Sequence, residues 1–110
     1  MEELEIAQRT EQMIQYGYQA TRHFPKSERH VLSQRIRNGM WDLLELVIRC
    51  GKRYHKKTTL ADLDIQLELL RRQIRSAKDL GFLPFQKYEV WSRYLDEIGR
   101  MIGGWIKSQK

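Results

Sequence analysis

The 110-residue sequence predicts an all-α fold, an up-down-up-down antiparallel four-helix bundle, and three observations carry that reading. Its two prolines, Pro25 and Pro84, sit where an otherwise helical pattern breaks, because proline lacks the N–H that a helix interior requires. Two segments hold apolar residues at strict steps of three and four, the spacing that keeps one seam of a helix against a neighbour. No stretch alternates apolar and polar residues long enough for a strand, and the connections are short, so consecutive helices are expected to run antiparallel.

The first helix is expected over about residues 2–23, with Leu4, Ile6, Met13, Ile14, Gly17, Tyr18 and Ala20 near the helical period. After His23, Phe24 and Pro25, a second helix over about 27–54 places Val31, Leu32, Ile36, Met40, Leu43, Leu44, Val47 and Ile48 at helical spacing. Thr58 and Thr59 are candidate caps for a third helix over about 59–80, with Asp62 three residues after Thr59 as the acidic member of a capping-box-like pair. Its seam is Leu60, Leu63, Leu67, Leu70, Ile74 and Ala77, with Ile65 and Leu69 as a second face. Lys78 suits the last turn, where the helix dipole favours a cation, and Gly81 suits a left-handed cap after Leu80. The fourth helix, about 85–107, repeats the seam as Tyr88, Trp91, Leu95, Ile98, Ile102 and Trp105. Helices of about 20–28 residues are roughly 30–40 Å long, which makes a narrow rod.

This length supports one domain, residues 1–110, and excludes a multidomain enzyme, because a second core would not fit. The absence of a run of about 18 apolar residues excludes a membrane span. The opening Met1-Glu-Glu-Leu-Glu-Ile is acidic where an export signal needs bases and an apolar stretch, and the single cysteine, Cys50, can close no internal disulfide. The expected location is cytoplasmic.

Catalytic chemistry finds few candidates. His23, His30 and His55 fall at segment ends, without the i, i+4 spacing that sets two imidazoles on one metal. Asp62 and Asp64 point to different sides of a helix, and Asp96 and Glu97 are adjacent, so neither pair converges as an acid and base must. Cys50, beside Arg49 and Lys52, follows an apolar run and reads as a small hydrophobe rather than a nucleophile. The glycines of Ile98-Gly-Arg-Met-Ile-Gly-Gly-Trp follow no strand and precede no Gly-Lys-Ser/Thr, so they are no phosphate loop. The expectation is a protein that is not an enzyme and uses no metal or other cofactor.

Charge is the informative signal. Twenty Lys and Arg against fourteen Asp and Glu give a net +6, which attracts phosphate-bearing partners, nucleic acid first. The excess is uneven: residues 1–21 carry one base and four acids, whereas residues 22–57 carry ten bases and three acids. Arg49, Lys52, Arg53, Lys56 and Lys57 form an acid-free cluster, with Tyr54 and His55 available to stack on bases or sugars. Arg71, Arg72, Arg75 and Lys78 form a second patch, in which positions 71, 75 and 78 share a helix face. Arg22, Lys26, Arg29, Arg35 and Arg37 form a third. The alternative for each is a solvated face.

The apolar faces, with Trp41, Trp91 and Trp105, exceed what one four-helix seam needs, so some are expected to meet another subunit. For any single Trp the favoured alternative is that it fills the monomer core, and it is the sum of faces, not one residue, that argues for association. Gly99 and Gly103 bare one helix face, which admits a close neighbour, and join the expected oligomer interface.

Three ordered blocks, Phe24-Pro-Lys-Ser-Glu-Arg-His-Val-Leu-Ser-Gln-Arg-Ile-Arg, Leu63-Asp-Ile-Gln-Leu-Glu-Leu-Leu-Arg and Leu95-Asp-Glu-Ile-Gly-Arg-Met-Ile-Gly-Gly-Trp-Ile-Lys, resemble the accessory variability determinant (Avd) proteins of diversity-generating retroelements. The resemblance spans nearly the whole chain and implies a four-helix bundle assembled as a homopentameric barrel. It also implies binding to the element's reverse transcriptase and to template RNA and possibly DNA through a basic surface, in support of mutagenic retrohoming with adenine-directed errors. A sister group, four-helix proteins encoded by intervening sequences of 23S ribosomal RNA genes, shares the Phe-Pro-Lys-Ser-Glu opening and implies a structural or protein-interaction bundle instead. Its members continue with a Pro-x-Asn-Ile-Ala-Glu-Gly segment, where this chain has Met40-Trp-Asp-Leu-Leu-Glu-Leu-Val-Ile-Arg, a departure that favours the retroelement reading.

Overall fold

The computed structural model describes residues 2–109. Four helices follow one another, α1 (Glu2–Thr21), α2 (Leu32–Lys52), α3 (Lys57–Asp79) and α4 (Phe85–Ser108), with a short 3₁₀ turn, Lys26–Glu28, before α2. The described residues contain no strand. Each helix packs on two others, α1 on α2, α2 on α3, α3 on α4 and α4 on α1, in a rod of 44 × 24 × 19 Å.

The strict seams form the core. All six expected positions of α3 are buried, as are Trp91, Leu95, Ile98, Ile102 and Trp105 of α4, with Tyr88 half-buried. They meet Ile36, Met40, Leu43, Val47 and Cys50 of α2 and Ile6, Met13, Ile14 and Ala20 of α1. Fully burying a Leu, Ile, Val or Met side chain among them is worth about 1.5–3 kcal/mol. Leu4, Val31 and Ile48 were expected on the apolar stripes but stand about half exposed. Burial selects the part of each stripe that another helix covers.

Two of the expected interface tryptophans are core residues. Trp91 has no exposed surface and its indole N–H points at Met13 Sδ (3.4 Å), while Trp105 is 4% exposed. Trp91 fits because Gly17 of α1 has no side chain: a Cβ there would collide with Met40 and lie 2.9 Å from the Trp91 ring. A side chain at 17 would force the Met40 thioether and the Trp91 ring to shift.

The ends of the elements depart from expectation in four places, the first being α1, which closes at Thr21 rather than near residue 23. Helix α2 begins at Leu32 rather than near residue 27, because successive i to i+3 bonds (Glu28 N–H to Pro25 O, Arg29 N–H to Lys26 O, Val31 N–H to Glu28 O) wind the chain more tightly first. The Glu28 carboxylate then accepts the Leu32 N–H at 3.3 Å. It closes at Lys52, two residues early, with Arg53 extended. Helix α3 starts at Lys57 with no side-chain cap, and Thr59 is buried with its hydroxyl accepting from Arg53 Nη1 at 2.8 Å, so the Thr59–Asp62 capping box does not form. The α3 terminus matches expectation: Gly81 has φ +83°, its N–H reaches Lys78 O, and Phe82 N–H reaches Ala77 O.

Candidate nucleic-acid interface

The three basic groups read from the sequence differ sharply in how many of their charges remain free. At the end of α2, Arg49 is bound by Glu45 one turn back, with Nη2 at 2.7 Å. Arg53 donates to Thr59, and Lys56 Nζ donates to the carbonyls of Cys50 (2.8 Å) and Arg53 (2.5 Å). Those are acceptors that a helix terminus leaves without partners, so Lys56 caps α2 rather than facing solvent. Lys52 and Lys57 stand exposed, next to a Tyr54 that is 91% exposed with its ring edge-on to His55. Cys50 lies beneath this turn, and burial pushes its thiol up in spite of Lys56 and Arg53. It is a protonated core residue at neutral pH.

Along α3 the cations are interleaved with carboxylates. Arg71 reaches across to α4, where Nη1 meets Asp96 at 2.6 Å and Nη2 donates to Leu95 O at 3.2 Å. Gly99 makes room for that crossing: a Cβ at 99 would sit 2.7 Å from Arg71 Nη2. The bare face at Gly99, expected to receive another subunit, is therefore occupied by an arginine of the same chain. Arg72 pairs with Glu68 at 2.9 Å, and Lys78 lies 3.3 Å from Asp79 and 4.7 Å over the Tyr88 ring. The Tyr88 hydroxyl, with Asp79 and Glu68, holds the Arg75 guanidinium above its usual value. The groove between these helices is lined by Asp64, Glu68 and Asp96 as well as Arg71, Arg75 and Arg100.

The connection from α1 to α2 behaves otherwise. Arg22, Lys26, Arg29 and Arg37 converge on one concavity of about 500 Å³ with no acidic residue in its lining. Arg37 is fixed there, donating from Nε to Thr21 Oγ1 at 2.8 Å with its guanidinium 4.4 Å over the Tyr18 ring. Thr21 in turn donates to Gly17 O at 2.8 Å. Ser33, in the first turn of α2, also lines the concavity, is 4% exposed, and its hydroxyl has no hydrogen-bond partner among the described residues. The sequence pointed to Lys26 and Arg29 as binding residues and placed Arg22 and Arg37 in the same charged group. Thr21 and Ser33 carried no signal of their own, because nothing in a chain of letters says which hydroxyl faces a cavity.

Trp41 and Gly103 differ from the buried tryptophans. Trp41 is 49% exposed on α2, its N–H donating to Tyr18 Oη at 2.9 Å, and Gly103 has no atom within 4 Å of the place its Cβ would take. Among the described residues no group of three or more His, Cys, Asp or Glu is placed to hold a metal, and no helix is long and apolar enough to cross a membrane.

A family model described as bAvd-like matches residues 4–109. The chain belongs to the bAvd-like family. The match bears out the resemblance to accessory variability determinants and runs from the first turn of α1 past the end of α4, so it covers nearly the whole bundle and all three basic groups. Avd proteins are of an accessory, non-catalytic kind. None of the curated proteins compared with the chain matches it.

Proposed function

We propose that this bAvd-like protein is the accessory subunit of a diversity-generating retroelement, acting in the cytoplasm, and that it binds both the element's reverse transcriptase and its template RNA or DNA. The observation that carries the reading is the family match over residues 4–109, joined to a net charge of +6 concentrated between residues 22 and 57. The protein supplies no chemistry to the copying reaction; it holds the nucleic acid near a polymerase that does, and so supports adenine-directed errors during retrohoming. Free cations do this work: Arg22, Lys26 and Arg29 at one connection and Lys52 and Lys57 at the other, all exposed.

In this reading the helices run up-down-up-down and five copies close into a barrel. Support comes from apolar side chains left on the surface: Trp41 and Ile48 of α2 and Ile65 and Leu69 of α3, each more than 40% exposed. Gly103 adds a stretch of α4 where a helix can approach closely.

Light scattering coupled to size exclusion tests both parts at once. The expected result is a species of about five times 13.3 kDa that takes up structured RNA more readily at low salt, since counterion release makes phosphate binding salt-dependent. A monomer indifferent to RNA overturns the reading, and failure to co-purify with the reverse transcriptase removes its polymerase half.

A further inference from the structure

We propose that the concavity between α1 and α2 is a binding site for a phosphate monoester of nucleotide size, seated by Arg22, Lys26, Arg29 and Arg37 with Ser33 at its floor. Four cations face one space and no carboxylate lines it. Like charges gathered around a common volume repel one another, and an anion of matching charge relieves that repulsion. Glu28, the acidic residue of the same connection, is engaged with the Leu32 N–H and does not line the space.

The second observation is independent of charge. A buried hydroxyl without a partner is costly and uncommon in folded proteins, and Ser33 Oγ is such a group at the wall of this same concavity. It has a hydrogen to donate, which an oxyanion accepts. Ser33 also belongs to the first turn of the 21-residue α2, where the Glu28 carboxylate already takes the Leu32 N–H, so the hydroxyl rather than the helix terminus is the group left to bind. Hydroxyl and guanidinium groups thus call for the same ligand chemistry.

Size narrows the class. A volume of about 500 Å³ lies within the range of roughly 300–1,000 Å³ typical of small-molecule sites and exceeds what a bare phosphate fills. Arg37 already covers the Tyr18 ring, so the body attached to the phosphate gains contact with the Phe24–Pro25 wall rather than a free aromatic face. The Ser33 hydroxyl is closed off from solvent, so an anion reaches it only as side chains of the lining move. This site deepens the nucleic-acid reading, on which the source of the phosphate rests, while the binding of phosphate itself does not depend on it.

The test is a titration of ¹⁵N-labelled protein with inorganic phosphate and then with adenosine monophosphate, against potassium chloride at equal ionic strength. The expected result is saturable shifts of the Thr21, Ser33 and Arg37 amides, with the nucleotide binding more tightly than phosphate. Ser33→Ala should weaken phosphate binding about threefold to tenfold, the worth of one hydrogen bond to a charged group, and leave thermal stability in phosphate-free buffer unchanged or raised. A merely structural serine would show the opposite pattern. Arg29→Gln, at an exposed position, should weaken binding by a similar factor and serves if the serine variant folds poorly.

Competition by a short RNA bearing a 5′-phosphate, and not by its 5′-hydroxyl counterpart, assigns the phosphate to a chain end. Competition by neither, with adenosine monophosphate still bound, assigns it to a free nucleotide; both results support the site. Shifts that chloride reproduces, or phosphate affinity unchanged by both substitutions, overturn it. Loss of structured-RNA binding with phosphate binding intact would instead count against the accessory role alone.

Discussion

The connection between α1 and α2 and the outer face of α3 hold similar numbers of arginines and lysines, yet they are electrostatically unlike. On α3, Arg71 and Arg72 each sit within 2.9 Å of a carboxylate, and the adjoining groove has as many acids as bases in its lining. At the α1–α2 connection the cations share a space with no acid at all. The difference lies in which helix each face is laid against. Helix α4 carries Asp96 to Arg71 from 25 positions away, whereas among the described residues no acid lines the space shared by Arg22, Lys26 and Arg29. A count of basic residues measures attraction for phosphate only after the fold has cancelled part of it.

The largest effect expected from this contrast is on RNA affinity. Replacing Arg22, Lys26 and Arg29 with Gln should lower affinity at low salt by about 10- to 100-fold and flatten the log–log salt slope by about 2, at roughly 0.7 per phosphate contact on single strands. The same change at Arg71, Arg72 and Arg75 should cost less than about threefold, because those charges are already shared with acids. Filter binding across a salt series measures both, and equal losses would erase the distinction.

Next in size is a dissection of the α2 terminus. Lys56→Met should destabilise the fold by about 1–2 kcal/mol in denaturant unfolding, since it removes charged hydrogen bonds from helix carbonyls, and should change RNA affinity by less than about twofold. Lys57→Met should do the reverse, with stability unchanged and RNA binding weakened. Smaller again, Asp96→Asn should cost less than about 1 kcal/mol, as expected of a partly exposed pair, and should raise RNA affinity about twofold by releasing Arg71. A fall in affinity would mean that Asp96 positions Arg71 for binding rather than competing for it.

The smallest effect is one of pH. The Arg72 hydrogen bond holds the Glu68 carboxyl below its usual value, so the folded state favours its charged form. That contribution is complete above the ordinary carboxylate range and is lost as pH falls through the depressed value. Acid unfolding of Glu68→Gln compared with the parent should show only a slight difference, confined to the acid limb, because the pair lies at the surface and is screened by solvent.

How much of this was legible in the sequence depended on distance along the chain. The seams of α3 and α4 and the Gly81 cap follow from residues a turn or two apart, and they appear where spacing put them. The start of α2 did not, because competition between 3₁₀ bonding and the Glu28 side chain is decided by geometry rather than periodicity. Periodicity identified Trp91 and Trp105 as apolar-face residues but not which neighbour covers them, so they were expected at an interface and lie in the core. The basic groups were legible as groups. Which of their charges stay free was not, since Asp96, Thr59 and the α2 carbonyls reach them only through the fold.

The unequal burial of the three tryptophans gives the molecule two optical reporters. Trp91 and Trp105, shielded between helices, should emit at short wavelength and resist a dissolved quencher until the bundle opens. Trp41, half in solvent, should emit further to the red and be quenched at once. A Trp41→Phe variant separates the two signals: what remains follows unfolding alone, and what is lost follows whatever comes to cover the outer face of α2. One spectrum can then tell a chain that has lost its neighbours from a chain that has lost its fold.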